Sequence, residues 1–161
     1  MSMTGRYLRV SMKRIREIRR RPSILLNVLY PVRSEYPDGT YLDIDKTWQT
    51  IHYLLNEDLW EGEPPAFNAV LGGAILTDED LGYGPARYLT PTEVRSTSDF
   101  LSGIPADALW SRRRRDPTVE AELYGSLEAE DEPYFRENYV LLQEFFRRAA
   151  DGNDAIILWL A

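Results

Sequence analysis

The sequence contains no cysteine and a single histidine. Without cysteine there is no disulfide framework, no thiolate metal site and no thiol nucleophile. One imidazole cannot build the usual zinc clusters, which need several imidazole or thiolate ligands, so neither a metal nor a cofactor is expected. Long hydrophobic runs are also missing. Ala155 to Ala161, among the longest, is far too short to span a bilayer. The basic N-terminus is not followed by the apolar stretch of a secretion signal. The expectation is a cytoplasmic protein with no membrane span.

What is present reads as globular. Hydrophobic residues make up 43% of the chain and aromatics 12%, enough apolar side chain to offset the entropy of ordering. A chain of 161 residues is one ordinary domain, expected to span 1–161. The net charge of −7 conceals an asymmetry: residues 1 to 21 hold eight Lys or Arg and one acid, so the remainder carries a charge of −14. That acidic body repels a polyanion at long range, while the N-terminal segment and the run Arg112 to Arg115 attract one only locally. Nucleic acid is therefore not the expected partner.

The chain is organised around Tyr41 to Asn56, YLDIDKTWQTIHYLLN, read as a helical signature. At about 100° per residue, Ile44, Trp48, Ile51, Leu55 and Leu59 share one apolar arc that must face the core. Asp45, Gln49, His52 and Asn56 form a polar stripe at the edge of that arc. Asp43 or Asp45 is positioned to cap the helix.

Before this helix, Gly5 to Val10 reads as a strand and Ser11 as the cap of a basic amphipathic helix, Met12 to Arg20, with Met12, Ile15 and Ile18 inward. Its basic face is expected to be solvated and paired with the acidic body. Pro22 starts a short helix, Ser23 to Leu29, apolar enough to suggest burial on more than one side. After the central helix, Ala66 to Leu71 reads as one or two helical turns. Residues 78–90, DEDLGYGPARYLT, read as a glycine-shaped loop followed by a strand. Thr90, Pro91 and Glu93 combine a capping box with proline at the first helical position. Pro105 opens a helix expected to run into Arg112 to Arg115, and residues 118–132 have Tyr124 and Leu127 as anchors. Phe135, Tyr139, Leu142, Phe145, Phe146 and Ala149 mark a helix over about 133–150, with Gly152 as its C′ residue. The run Ala155 to Ala161 reads as a strand covered on both faces. Strands near 5–10, 86–90 and 155–161 should form one sheet.

Together, MSMTGRYLRVS, LDIDKTWQTIHYLLN, LGG followed by DLGYGPARYLT, PTEV and the closing AADGNDAIILWL resemble the YfbM-like family, a bacterial family of unknown function. The likeness covers nearly the whole chain, and the order and spacing of the pieces make it specific. It implies a single α+β domain, mainly helical, with a small mixed sheet of about three to four strands. It implies no assigned activity, cofactor or catalytic residues. Two departures stand out: the N-terminal helix is more basic than the family pattern, and Tyr124 is followed by Gly125 where proline is expected.

The candidate groove comprises Asp45, Trp48, Gln49, His52, Tyr83 and Arg87. A histidine beside a carboxylate is a potential general base, and a positioned arginine can hold an anion. The blander alternative is that Asp45 and His52 satisfy buried polar atoms of the glycine loop over Asp80 to Arg87. That loop lacks the lysine and hydroxyl of a P-loop and the spacing of a dinucleotide fingerprint. The acids Asp78, Glu79 and Asp80 have no defined cation-loop spacing. Two functional classes follow. One is a non-catalytic domain binding a small anionic ligand or a protein partner. The other is an enzyme acting on a small anionic substrate through Asp45, His52 and Arg87. A binding module should display exposed aromatics, and an enzyme should converge those polar groups in a pocket.

Overall fold

The apolar run Ala155–Leu160 lies in the middle of a five-stranded sheet, and all six of its residues are buried. The computed structural model describes residues 2–161. Its strands are β1 (Gly5–Val10), β2 (Tyr41–Asp43), β3 (Ala74–Asp80), β4 (Pro85–Leu89) and β5 (Ala155–Leu160). The helices are α1 (Met12–Arg20), α2 (Leu25–Leu29), α3 (Trp48–Asn56), α4 (Pro91–Ser102), α5 (Ala106–Trp110), α6 (Pro117–Glu122) and α7 (Glu132–Asp151). The sheet order is β2-β1-β5-β4-β3, and every neighbouring pair is antiparallel. The α+β class holds, but the sheet has five strands rather than three or four and is antiparallel rather than mixed.

Alternation along β5 sorts its side chains between two cores. Ile156, Leu158 and Leu160 join Tyr7 and Leu89 beneath α3, α4, α5 and α7. Ala155, Ile157 and Trp159 join Leu8, Leu76, Ala86 and Tyr88 beneath α1 and α2. A strand with no exposed face requires cover on both sides, which gives a helix–sheet–helix stack.

The two unexpected strands are both edges. Tyr41–Asp43, placed by periodicity within the helical signature, instead pairs with β1 through Arg6↔Asp43 and Leu8↔Tyr41. Ala74–Asp80 ends in three exposed acids, a composition that hides a strand yet suits an edge by discouraging further pairing. The glycine loop is the turn of the β3–β4 hairpin: the Asp80 carboxylate accepts from the N–H groups of Gly82 and Gly84 at 2.8 and 3.1 Å.

Several helix boundaries also differ. A 3₁₀ turn, Asp45–Thr47, precedes α3, and Asp45 sits at φ 54°. Neither aspartate caps α3 itself; the Asp43 carboxylate accepts from the Asp45 N–H at 2.7 Å and shapes the entry. In α2 only Leu25 and Leu29 are buried, while Leu26 is 42% exposed, so the helix has one inner face. The helix after Pro105 stops at Trp110. Asp116 and Pro117 open α6, with the Asp116 carboxylate capping Thr118 N–H. At the end of α7 the left-handed residue is Asn153 (φ 54°), not Gly152. Asp154 N–H bonds to Ala149 C=O and Asn153 N–H to Ala150 C=O, a Schellman closure with asparagine in the glycine role. The Thr90–Glu93 capping box forms as expected.

The position of α3 is set by contact with β1. A Cβ on Gly5 would lie 2.9 Å from Trp48 Cβ and 3.0 Å from Ile44 Cγ1, so only glycine lets the helix approach this closely. Trp48 is fully buried there, donating from Nε1 to the Met3 carbonyl at 3.2 Å. Replacing Trp48 by alanine should cost about 3 to 5 kcal/mol. Denaturant titration checks this, and a loss under about 1 kcal/mol would contradict the packing described.

Candidate functional site

The polar stripe is fully buried at its middle and half-buried at its ends, Asp45 and Asn56. Gln49 and His52 have no exposed surface, and their partners are backbone groups of two loops. Gln49 donates from Nε2 to Leu59 C=O at 3.0 Å and accepts from Tyr124 N–H at 2.7 Å. His52 Nε2 lies 3.2 Å from Glu61 C=O. A carbonyl only accepts, so the proton sits on Nε2 and Nδ1 is left to accept from Asn56 Nδ2 at 3.3 Å. Asn56 Nδ2 also faces His52 C=O and Ala66 C=O. Burial lowers the His52 pKa to about 4, outweighing the opposing pull of the Glu61 carbonyl. The imidazole is therefore neutral, oriented and already bonded at both nitrogens.

The other candidate residues have separate engagements. Asp45 accepts from Tyr134 Oη on α7 at 2.6 Å. Burial first, and this bond second, push the Tyr134 pKa to about 12. Arg87 lies on the inner face of β4 and donates to Leu71 C=O, with burial lowering its pKa. Beside it, Tyr7 Oη donates to Ala69 C=O at 2.6 Å. The turn over 66–71 thus meets α3 through Asn56 and Phe67, whose ring packs edge-on to His52, and meets the sheet through Tyr7 and Arg87. Tyr83 is exposed on the β3–β4 hairpin turn. Gln49 and His52 bond to the same 57–61 loop, and Trp48 packs against Trp60 of that loop. Asp45, Tyr83 and Arg87 do not join them, and the expected bonds from Asp45 and His52 to the glycine loop are replaced by bonds to Tyr134 and to the 57–61 loop.

Among the described residues, three notable concavities lie away from Gln49 and His52. The largest, about 570 Å³, is bounded by the end of β1, by α1 and α2, and by the 31–40 connection. Leu8, Val10, Ile24 and Val28 give it apolar surface, and Arg9, Arg14 and Arg21 face Glu17 and Glu35. Arg9 is held by Asp154 and Arg14 by Glu17, whereas Arg21 has no ion pair among the described residues. A second, about 260 Å³, lies between Tyr53, Glu57, Arg112 and Arg114; a third, about 190 Å³, lies beside Thr50, Ser126 and Tyr134. Nothing in the periodicity of the sequence announced the first, because its walls come from four separate segments.

The basic segments are also used differently from expectation. The ion pair of α1 is internal, Arg14 to Glu17, and Arg19 lies over the Tyr88 ring; the acidic body does not neutralise this helix. Of the arginine run, Arg113 stacks on Trp110, while Arg115 is bound by Glu120 and Glu128. Among the described residues no helix is long and apolar enough to cross a membrane, and no group of three or more acids and histidines is placed to hold a metal.

The imidazole makes a direct prediction. The folded chain keeps it neutral to about pH 4 whereas the unfolded chain protonates it near 6.5, so the unfolded state binds the extra proton between those values. The stability contributed is complete above about pH 6.5 and declines as pH falls towards 4, by at most about 3 kcal/mol. The single histidine gives one pair of carbon-bound ring-proton NMR signals, Hε1 and Hδ2, which should hold their positions down to about pH 5; titration near 6.5 would contradict its burial.

The chain matches the family model of DUF1877, a domain of unknown function, over residues 1–159. Among solved structures it is similar to YfbM from Escherichia coli, described as a protein of unknown function, with 21% sequence identity and a TM-score of 0.69 over 98% of this chain and 99% of that one. At this identity the likeness is one of fold. A comparison with curated proteins finds no match. The extent of the family match, with the shared fold, shows that the chain belongs to the DUF1877 family of YfbM-like proteins, a family of unknown function.

Proposed function

We propose that the chain is a non-catalytic binding domain whose small-molecule site is the cavity bounded by the end of β1, α1, α2 and the 31–40 connection. The carrying observation is that cavity: about 570 Å³ in volume, apolar on one side and lined by three arginines against two glutamates. A site of this kind, largely apolar with a few charged groups at its edge, suits an amphipathic ligand. Arg21, which has no ion pair among the described residues, favours an anionic head group, with Leu8, Val10, Ile24 and Val28 contacting an apolar body.

The enzyme reading would require Asp45, His52 and Arg87 to act on one substrate. Each is committed to a different segment, and His52 has no free nitrogen. In the binding reading the protein is a single bacterial domain working in the cytoplasm, where small organic anions are abundant. The Escherichia coli origin of its structural neighbour supports the bacterial assignment.

A thermal-shift series with medium-chain carboxylates, their matched alcohols and short-chain carboxylates tests the site. Medium-chain carboxylates at about 100 times their dissociation constant should stabilise the fold by roughly 2.7 kcal/mol. The alcohols and short acids should do less. Val28→Trp, which fills the apolar wall, should remove the shift, and Arg21→Gln should weaken it about tenfold in ligand concentration. A shift that survives Val28→Trp, or none with any carboxylate, would contradict this function.

A further inference from the structure

The connection leaving α3 has the properties of a presented surface rather than a simple linker. Glu57 turns the chain at φ 59°. The Asp58 carboxylate then accepts from the N–H groups of Trp60 and Glu61, both at 2.8 Å. Gln49 holds the Leu59 carbonyl and His52 the Glu61 carbonyl. Gln49, His52 and one local carboxylate thus fix three consecutive peptides, from Leu59 to Gly62, so the loop is ordered before anything binds.

Two kinds of side chain project from this fixed backbone. Trp60 is 53% exposed, its ring centroid 5.9 Å from that of Trp48. Around it Glu57, Asp58, Glu61 and Glu63 are exposed, and none forms an ion pair among the described residues. An indole held half out of water amid unpaired carboxylates offers a seat for a cation: its face attracts an ammonium or guanidinium, and the acids supply complementary charge. Tryptophan is also the side chain that most often dominates protein interfaces, and a pre-ordered loop avoids the entropic cost of ordering on contact.

We propose that the Glu57–Glu63 loop is a docking surface for an arginine- or lysine-rich segment of a partner protein, one cationic side chain packing on Trp60 while its neighbours pair with Glu57, Glu61 and Glu63. Nucleic acid and anionic lipid surfaces carry the same sign of charge as the loop and are repelled. This surface is separate from the cavity beneath α1, and either can fail without the other. The exposed cations of α1 make a second copy of the chain the competing occupant.

The test titrates an arginine-rich peptide into the full chain by calorimetry at near-physiological salt. Trp60→Ala should weaken binding about fivefold or more. The combined change Glu57→Gln, Glu61→Gln and Glu63→Gln, which leaves every backbone bond of the loop in place, should weaken it comparably and flatten its salt dependence. An equal charge change elsewhere on the surface, Asp78→Asn with Glu79→Gln and Glu122→Gln, should leave binding within about twofold. Equal loss in this control would mean that only net charge is read, and would overturn the proposal. So would unchanged binding in the triple glutamine variant, which holds even if Trp60→Ala proves too unstable to study. Sedimentation of the chain alone supplies the remaining outcome: self-association abolished by the glutamine variant assigns the loop to a second copy and refutes the partner proposed here.

Discussion

Removing the α3 polar stripe from water constrains where the chain can go on either side of the helix. A buried amide or imidazole without partners costs about 1 to 3 kcal/mol for each orphaned group, and α3 places two such side chains, Gln49 and His52, where no water reaches them. Beside the Asn56 amide, their partners are backbone groups from two segments: Leu59 and Glu61 from the loop that follows α3, and Tyr124, far along the chain, from the approach to α7. Gln49 alone ties these two segments to one helix. The same pressure explains Gly125, which departs from the proline expected at this place. At φ 143° it lies against α3, and a Cβ there would sit 2.4 Å from Thr50 Oγ1, so a side chain would force the segment off the helix.

The second constraint is the buried last strand. Because β5 pairs with β1 on one side and β4 on the other, the sheet forms only when the two ends of the chain meet, with Thr4 and Ala161 exchanging backbone bonds at 2.7 and 3.0 Å. The helices then divide between its faces. On one side α3 comes close enough to β1 to require Gly5; on the other, α1 and α2 stand far enough from the 31–40 connection to leave a cavity. Thus the close-packed face carries the internal polar network, and the looser face carries the space in which a ligand fits.

Where one residue pattern decides the outcome, the sequence was readable. The spacing from Phe135 to Ala149 predicts α7, Thr90 to Glu93 starts α4, and the run from Ala155 is a doubly covered strand. The burial of Trp48 follows equally from helical geometry, which places Gln49 and His52 only at the edge of the buried arc; it is the neighbouring loops that bury them fully. Edge strands escaped because Tyr41–Asp43 is too short for periodicity, and Asp78, Glu79 and Asp80 carry the charges of a loop. The partners of the polar stripe were not legible either. The sequence shows that Gln49 and His52 need hydrogen bonds, but whether the hairpin at 80–85 or the loop at 57–63 supplies them depends on tertiary placement. Once α3 lies over β1, the loop that directly follows it is within reach, and Arg87 is occupied under the 66–71 turn. The cavity, built from four segments, has no linear signature.

Gln49 and His52 clamp the 57–61 loop, and Gln49 also holds the 123–126 segment. Amide hydrogen exchange on Gln49→Leu measures this most directly, since leucine keeps the bulk but orphans Leu59 C=O and Tyr124 N–H. Exchange should become faster only in the 57–61 and 123–126 segments and the amides they cover, with a stability loss of about 2 to 4 kcal/mol. Protection and stability unchanged from the wild-type chain would contradict it.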